Sequence, residues 1–382
     1  MIFANFNRRK FIQSIALGWM ASNPVSSFGK KIKKSDSSNV SDLLFYINAK
    51  GQKKPVTTLA EWQIKRQQIL TGLQHAMGLM PDQSQLPDLN IHIIEQVNED
   101  RYTRFTIQFT VAENENIPAY LYVPIQKSNK KKLPAMLALH PTGAQGKEIV
   151  DGQSALPNRA YAKELAQRGY VVIAPDYPGY GDLKNYDFKT DRYQSGTMKS
   201  VFDAMRCIDL LQARADVDPT RIGVIGHSLG GHSAMFVGAF DIRLKVIVSS
   251  CGWTLMEYYN AGQEVTKKYG NRLAPWAQEV YMPRLRDAYD LDARKIPFDF
   301  DEVIAALAPR SFFSNSPEND SNFDVNGVRK GIDNASEVYR FVKADNNLVV
   351  RYPDSEHDFP AEVRFEAYNF IDKVFGVNSN DK

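Results

Sequence analysis

Between residues 134 and 251 the chain repeats one phrase: a short apolar run, then a longer amphipathic one. The apolar runs are PAMLALH (134–140), YVVIAPD (170–176), RIGVIGH (221–227) and KVIVSSC (245–251). Between them, RAYAKELAQRG (159–169), SGTMKSVFDAMRCIDLLQAR (195–214) and SLGGHSAMFVGAF (228–240) have helical length and spacing. Strands with no polar alternation must be covered on both faces. Their alternation with helices therefore predicts an α/β fold, a mostly parallel sheet with helices on both sides. The pattern resumes with a strand at 311–317, a short helix at 336–342, a strand at 347–354 and a closing amphipathic helix at 360–375. Upstream, 59–78 predicts a helix ending at Gly78, and 89–97, 101–113 and 117–124 predict antiparallel strands that open the sheet.

The ends and the composition narrow the setting. Arg8 and Arg9 precede a short, mildly apolar segment with small residues after it, which resembles a twin-arginine export signal over residues 1–28. A polar linker, 29–41, leads to a single domain, 42–382. That domain carries an N-terminal helix and strand extension (42–130) and an insertion (252–308) that interrupts the alternation. An exported, periplasmic or secreted protein follows. No cysteine follows the apolar segment and no run of eighteen apolar residues exists, so neither a lipoprotein anchor nor an ordinary membrane span is expected. A net charge of +3 without a basic stripe on the folded part argues against nucleic acid. Two cysteines, Cys207 and Cys251, make no disulfide framework and have no metal-ligand spacing, so no metal and no cofactor are expected. The oligomeric state is not legible.

The chemistry concentrates at 226–230, Gly-His-Ser-Leu-Gly, where an apolar strand turns directly into a helix. A serine that attacks a carbonyl must stand clear of the backbone on a sharp, strained turn. Glycines at 226, 230 and 231 give that turn room. Ser228 is thus the candidate nucleophile. Of six histidines, His75 and His92 precede the α/β core and His140 ends an earlier strand. His227 is turned aside next to the serine, and His232 lies one turn into the helix. His357, in the loop after the last strand, is the candidate base, at the edge where open α/β sheets bind ligands. The orienting acid should come from ENDSNFD, after the strand at 311–317: Asp320 is preferred, with Glu318 and Asp324 open, and Asp301 and Glu302 more distant. The two oxyanion donors are assigned to the N–H groups of Leu229, which follows the nucleophile, and Thr142, with Gly143 second, because Pro141 has none. In the insertion, Trp253, Tyr258, Trp276, Tyr281 and Arg284 are candidates to line a substrate pocket. Asp176 reads as a loop-stabilising carboxylate.

Together these residues resemble the α/β-hydrolase superfamily over about 130–375. Within it, LALHPTGAQGK, AKELAQRGYVVIAPDYPGYGD, GHSLGGHS, VIAALAPRSFFS and YPDSEHDFP resemble exported bacterial acetylxylan-esterase and dienelactone-hydrolase-like proteins. The resemblance implies a serine esterase with Ser228, His357 and Asp320 as its triad, acting on an acylated small molecule or polysaccharide. Ser228 departs from the cysteine nucleophile of true dienelactone hydrolases. Glucuronoyl esterases are similar too, but their nucleophile motif carries an arginine where GHSLGG has none. Two rival readings share the scaffold. A prolyl-oligopeptidase-like peptidase would bring a propeller, for which the N-terminal hundred residues are too short. A non-catalytic binding protein would be expected to lack part of the triad.

Overall fold

The computed structural model describes residues 42–126, 132–189 and 191–377. The export-signal segment and the linker lie outside the described residues. A hairpin of β1 (Phe45–Ile47) and β2 (Lys53–Pro55) leads into α1 (Leu59–Met77). The Thr58 hydroxyl accepts from the Glu61 N–H and the Glu61 carboxylate accepts from the Thr58 N–H, a reciprocal cap that fixes where α1 begins.

The main sheet is built from β3 (His92–Asn98), β4 (Tyr102–Ala112), β5 (Glu115–Pro124), β6 (Leu133–Leu139), β7 (Val171–Pro175), β8 (Val217–His227), β9 (Val246–Ser250), β10 (Ser311–Asn315) and β11 (Leu348–Arg351). Its helices are α2 (Tyr161–Gln167), α3 (Gly196–Ala213), α4 (Leu229–Phe240), α5 (Gln263–Tyr269), α6 (Arg284–Asp287), α7 (Phe300–Leu307), α8 (Val325–Phe341) and α9 (Ala361–Phe375). The strand order is β11-β10-β9-β8-β6-β7-β5-β4-β3. From β7 to β11 every pairing is parallel, and β3, β4 and β5 join antiparallel, as the sequence predicts. Successive residues of the central strands feed opposite faces. Leu137, Val224 and Ile247 pack with α3, α4, α7 and α8, whereas Met136, Ile225 and Val248 pack with α2 and α9.

Three stretches differ from the sequence reading. β8 begins at Val217, ahead of RIGVIGH, because Val217 pairs with Leu133. α8 starts at Val325, eleven residues before the expected short helix at 336. Its first half is polar and holds Gly327 and Gly331, which argue against helix locally. Both glycines are packing sites: a Cβ on Gly327 would stand 2.2 Å from Thr254 Oγ1, and one on Gly331 2.8 Å from the Trp253 ring. The 252–308 segment also divides. α7 is capped by Asp299 and buries Val303, Ile304 and Leu307 in the core as the crossover to β10, so only the part before it covers the sheet edge.

β6 sends its crossover one way, to β7, while β8 lies on its other side. Strand order reverses there, which leaves a crevice at the carboxyl ends of β6 and β8. The β8–α4 turn fills the floor of that crevice with almost no spare space. A Cβ on Gly226 would meet the Gly230 carbonyl carbon at 2.2 Å, and one on Gly230 would meet the Leu139 carbonyl oxygen at 2.0 Å. Backbone cannot yield as a flexible side chain does. Gly230→Ala is therefore expected to lower unfolding free energy by about 1–3 kcal/mol, the usual cost of overpacking, as measured by urea denaturation.

Candidate active site

Ser228 sits between β8 and α4 with φ 55° and ψ −120°, a left-handed backbone that a non-glycine residue adopts at a cost. Its own N–H donates to Ser250 O at 2.8 Å, which pins the turn to β9. Tyr161 ties the other side: its hydroxyl donates to Leu139 O and accepts from the His227 N–H at 3.3 Å. The serine side chain is half-buried at the mouth of the crevice.

His357 lies in the loop between β11 and α9. Its Nε2 is 2.9 Å from Ser228 Oγ. Its Nδ1 is 2.9 and 3.0 Å from the two oxygens of Asp320. A carboxylate only accepts, so Nδ1 carries the ring proton and Nε2 is left to accept from the serine hydroxyl. Asp320 is held in turn by the N–H groups of Asn322 (2.9 Å) and Phe323 (3.1 Å), and the Phe323 ring stacks on His357 with centroids 5.8 Å apart. The loop is clamped from behind. Arg159 pairs with Asp358 and donates to His357 O at 3.2 Å, and Asn158 donates to Asp358 at 2.7 Å. Burial pushes the Asp358 carboxyl up, but the Arg159 and Asn158 hydrogen bonds outweigh it and hold it below the usual range.

The other acidic candidates have different partners. Glu318 is an exposed ion-pair partner of Arg329, and Asp324 caps α8 through the Asn326 N–H. Asp301 accepts from Asn334, and Glu302 pairs with Lys65. Asp176 is buried and accepts from the Lys147 N–H, the Lys147 ammonium and the Asp182 N–H, so it ties the loops after β6 and β7 together.

On the opposite wall, Leu229 opens α4, whose first N–H groups have no acceptor within the helix. The Pro141 carbonyl faces His140 Nδ1 at 2.7 Å. In a trans peptide the N–H points the opposite way, so the Thr142 N–H is turned from His140. The Thr142 hydroxyl lies 3.1 Å from that of Tyr281, which lies 2.8 Å from that of Tyr180. Sequence reasoning missed this hydroxyl chain, the Arg159 clamp and the Phe323 stack. Each joins segments far apart in the chain, and no local pattern marks it.

The five candidates in the insertion have different neighbours. Tyr281 meets Thr142, and Trp276 stacks on His232 with centroids 4.1 Å apart. Three expectations need correction. Trp253 is buried behind the sheet edge, donating to Ser314 Oγ at 3.0 Å. Tyr258 packs against Gly327 of α8 beneath Lys330. Arg284 is spent on His75 O at 2.8 Å. Beneath Trp276 a cavity of about 10 Å³, the room one water needs, is lined by His232, Tyr259, Met256, Leu285, Phe300 and Phe323 among others, none of them charged. Gly252 O faces His232 Nδ1 at 3.3 Å, which leaves the buried Nε2 without a protein partner.

A family described as Glucuronyl esterase, fungi, matches residues 184–342. "Putative hydrolase YtaP" of Bacillus subtilis (strain 168) is 29% identical over 309 residues, spanning 78% of this chain and 95% of that protein. The 4-O-methyl-glucuronoyl methylesterase of Hypocrea jecorina (strain QM6a) is 28% identical over 148 residues, 35% of this chain and 30% of its own. Among solved structures, a glucuronoyl esterase from Solibacter usitatus superposes with a TM-score of 0.64 at 19% identity, covering 89% of this chain and 98% of that one. A "putative acetyl xylan esterase" from Bacteroides fragilis NCTC 9343 gives 0.57 at 16% identity, covering 86% and 92%. The chain has the α/β-hydrolase fold. In this fold the crevice, the serine turn and the histidine loop occupy one edge of the sheet. No helix among the described residues is long and apolar enough to cross a membrane.

Three histidines around the crevice are kept neutral by burial. It pulls His140 down to about 4 and His232 to about 3, and lowers His227 well below the usual value. In the unfolded chain each takes a proton near pH 6.5, so below that pH the unfolded state binds more protons and stability falls. His232→Gln should therefore flatten the fall of unfolding free energy between about pH 6 and 4 by up to about 1.4 kcal/mol per pH unit, measured by urea denaturation at a series of pH values.

Proposed function

We propose that this α/β-hydrolase is a carboxylic-ester hydrolase that removes a short acyl group, acetyl or similar, from carbohydrate. The observation that carries the reading is the line of hydrogen bonds from Asp320 through His357 to Ser228, at a serine raised on a strained turn. In this reading His357 Nε2 takes the serine proton as Oγ attacks the ester carbonyl. The oxyanion rests on the N–H groups of Leu229 and Thr142. His357 then protonates the departing alcohol, water enters, and the acyl-enzyme is hydrolysed with His357 as base again. Asp320 keeps the imidazole in the productive tautomer and offsets its charge. Export through the Arg8–Arg9 segment would bring such an enzyme to a polymeric substrate.

A second reading, hydrolysis of a uronate ester, is favoured by the glucuronoyl esterases among the similar proteins. Two observations weigh against it. The nucleophile motif GHSLGG carries no arginine, and the arginines of the insertion are engaged elsewhere. Arg284 holds His75 O, Arg286 pairs with Asp287, and Arg272 binds the carbonyls of Met256 and Tyr259. A buried carboxylate with no cation would meet a large desolvation cost.

Two measurements test the proposal. With an aryl acetate, Ser228→Ala should lose at least about a thousandfold in kcat. Asp320→Asn should fall by a similar order while Glu318→Gln stays within about twofold; equal loss at both carboxylates would move the acid. With natural-type substrates, kcat/KM on acetylated xylo-oligosaccharides should exceed that on a methyl glucuronate ester at least about tenfold, a gap of roughly 1.4 kcal/mol. The reverse order would establish the uronate reading instead.

A further inference from the structure

Among the described residues, one set of three metal-type donors lies close enough to share an ion. Cys251 Sγ, an Asp320 carboxylate oxygen and a ring nitrogen of His357 all fall within 4.8 Å of one another. The catalytic reading gives roles to Asp320 and His357 and none to Cys251. We propose that these three residues form a binding site for a thiophilic divalent cation of the Zn²⁺ type, and that filling it switches the hydrolase off. The switch rests on the reading of His357 as the base.

Size, donor type and surroundings agree. In a triangle with no edge longer than 4.8 Å one point lies within about 2.8 Å of every corner, against roughly 2.0–2.3 Å for zinc's bonds to oxygen, nitrogen and sulfur. Side-chain shifts of under about 1 Å close that gap. A thiolate, an imidazole and a carboxylate together suit zinc or cadmium, whereas calcium and magnesium take oxygen alone. Cys251 ends β9 with φ 47°, and its thiol donates to Asp358 O at 3.1 Å. That carbonyl also accepts from Asn315 Nδ2 at 2.8 Å, so it keeps a partner when the thiol proton leaves. Burial, and then the Asp320 charge, push the Cys251 thiol well above its usual range, so the free thiol stays protonated and the pair is quiet without a cation.

The proton balance explains the inhibition. His357 turns Nδ1 toward Asp320, and that nitrogen carries the ring proton. Ligation needs its lone pair, so the proton moves to Nε2. The thiol gives its proton to solvent as the sulfur–metal bond forms, and one proton is released per ion bound. Nε2–H then faces Ser228 Oγ as a donor and cannot take the serine proton. The cation thereby locks the base in the wrong tautomer without touching the nucleophile.

The test uses the purified full chain in a non-chelating buffer, with two readouts. Hydrolysis of an aryl acetate is followed while Zn²⁺ is titrated and then removed with EDTA. Binding of Cd²⁺ is followed separately by its ultraviolet charge-transfer band with thiolate, which needs no activity. Cys251→Ala, Cys251→Ser and the control Cys207→Ala are each read against their own metal-free rate. The proposal expects loss of activity with Zn²⁺ and recovery with EDTA. In both Cys251 variants the half-inhibiting concentration should rise at least about tenfold and the cadmium band should vanish, with neither change in Cys207→Ala. Inhibition of equal strength in the Cys251 variants, a chain that Zn²⁺ does not inhibit, or a folded chain with no cadmium band would overturn it. If the parent hydrolyses no ester at all, the functional reading fails, while the cadmium band still decides the site.

Discussion

Everything at the crevice edge depends on how closely the β8–α4 turn is pressed into the end of β6. Gly230 lies against the carbonyls of Leu139 and His140 with no room for a methyl group, and a Cβ on Gly231 would stand 2.7 Å from Ser250 O. Those contacts hold Ser228 in a left-handed backbone that would otherwise relax. They also press the end of β6 and His140, two residues before Thr142, against the first turn of α4. One packing constraint therefore sets both the lift of the serine and the wall opposite it.

Around this turn several polar groups are buried and matched. His140 accepts from the Tyr177 N–H and faces the Pro141 carbonyl. His227 meets the Ser250 hydroxyl at 2.9 Å. Asp176 takes three donors from two loops. Each such group would cost several kcal/mol if left unmade, so the loops at the crevice have few alternative arrangements. The neutral histidines keep positive charge away from His357, whose ring centroid stands 5.0 Å from that of His227. A cation there would oppose protonation of His357, the step that the proposed mechanism needs.

Much of this was legible in the sequence, for reasons that can be named. Periodicity exposed the parallel core because β6 to β9 are buried on both faces and carry no polar interruption. The strand–glycine–helix grammar pointed to Ser228 because the turn tolerates so few residues. The loop holding His357 could be read from its place after the last strand. Asp320 was separable from Glu318 and Asp324 only as a preference, since each is one carboxylate in a polar loop; the distinction lies in Arg329 and the Asn326 N–H, which the string does not bring near. The first half of α8 was hidden because its glycines serve Trp253 and Tyr258, a tertiary reason that overrides local propensity. The insertion was the least legible part. Its aromatic residues and arginines look alike in sequence, and only packing separates Tyr281, beside Thr142, and Trp276, on His232, from Trp253, Tyr258 and Arg284, which have partners elsewhere.

The line Asp320–His357–Ser228 crosses four neighbouring strands, β8 to β11, and its serine and histidine stand 129 residues apart. Contacts so distant in the chain carry a large loop-closure entropy and belong to the slow, late stages of folding. Helices such as α1 or α4 form from neighbours and report on little beyond themselves. Return of activity after denaturation is then a stricter clock than return of helical signal. It starts only when the outermost parallel strand has docked, so a chain can regain most of its secondary structure while still chemically silent.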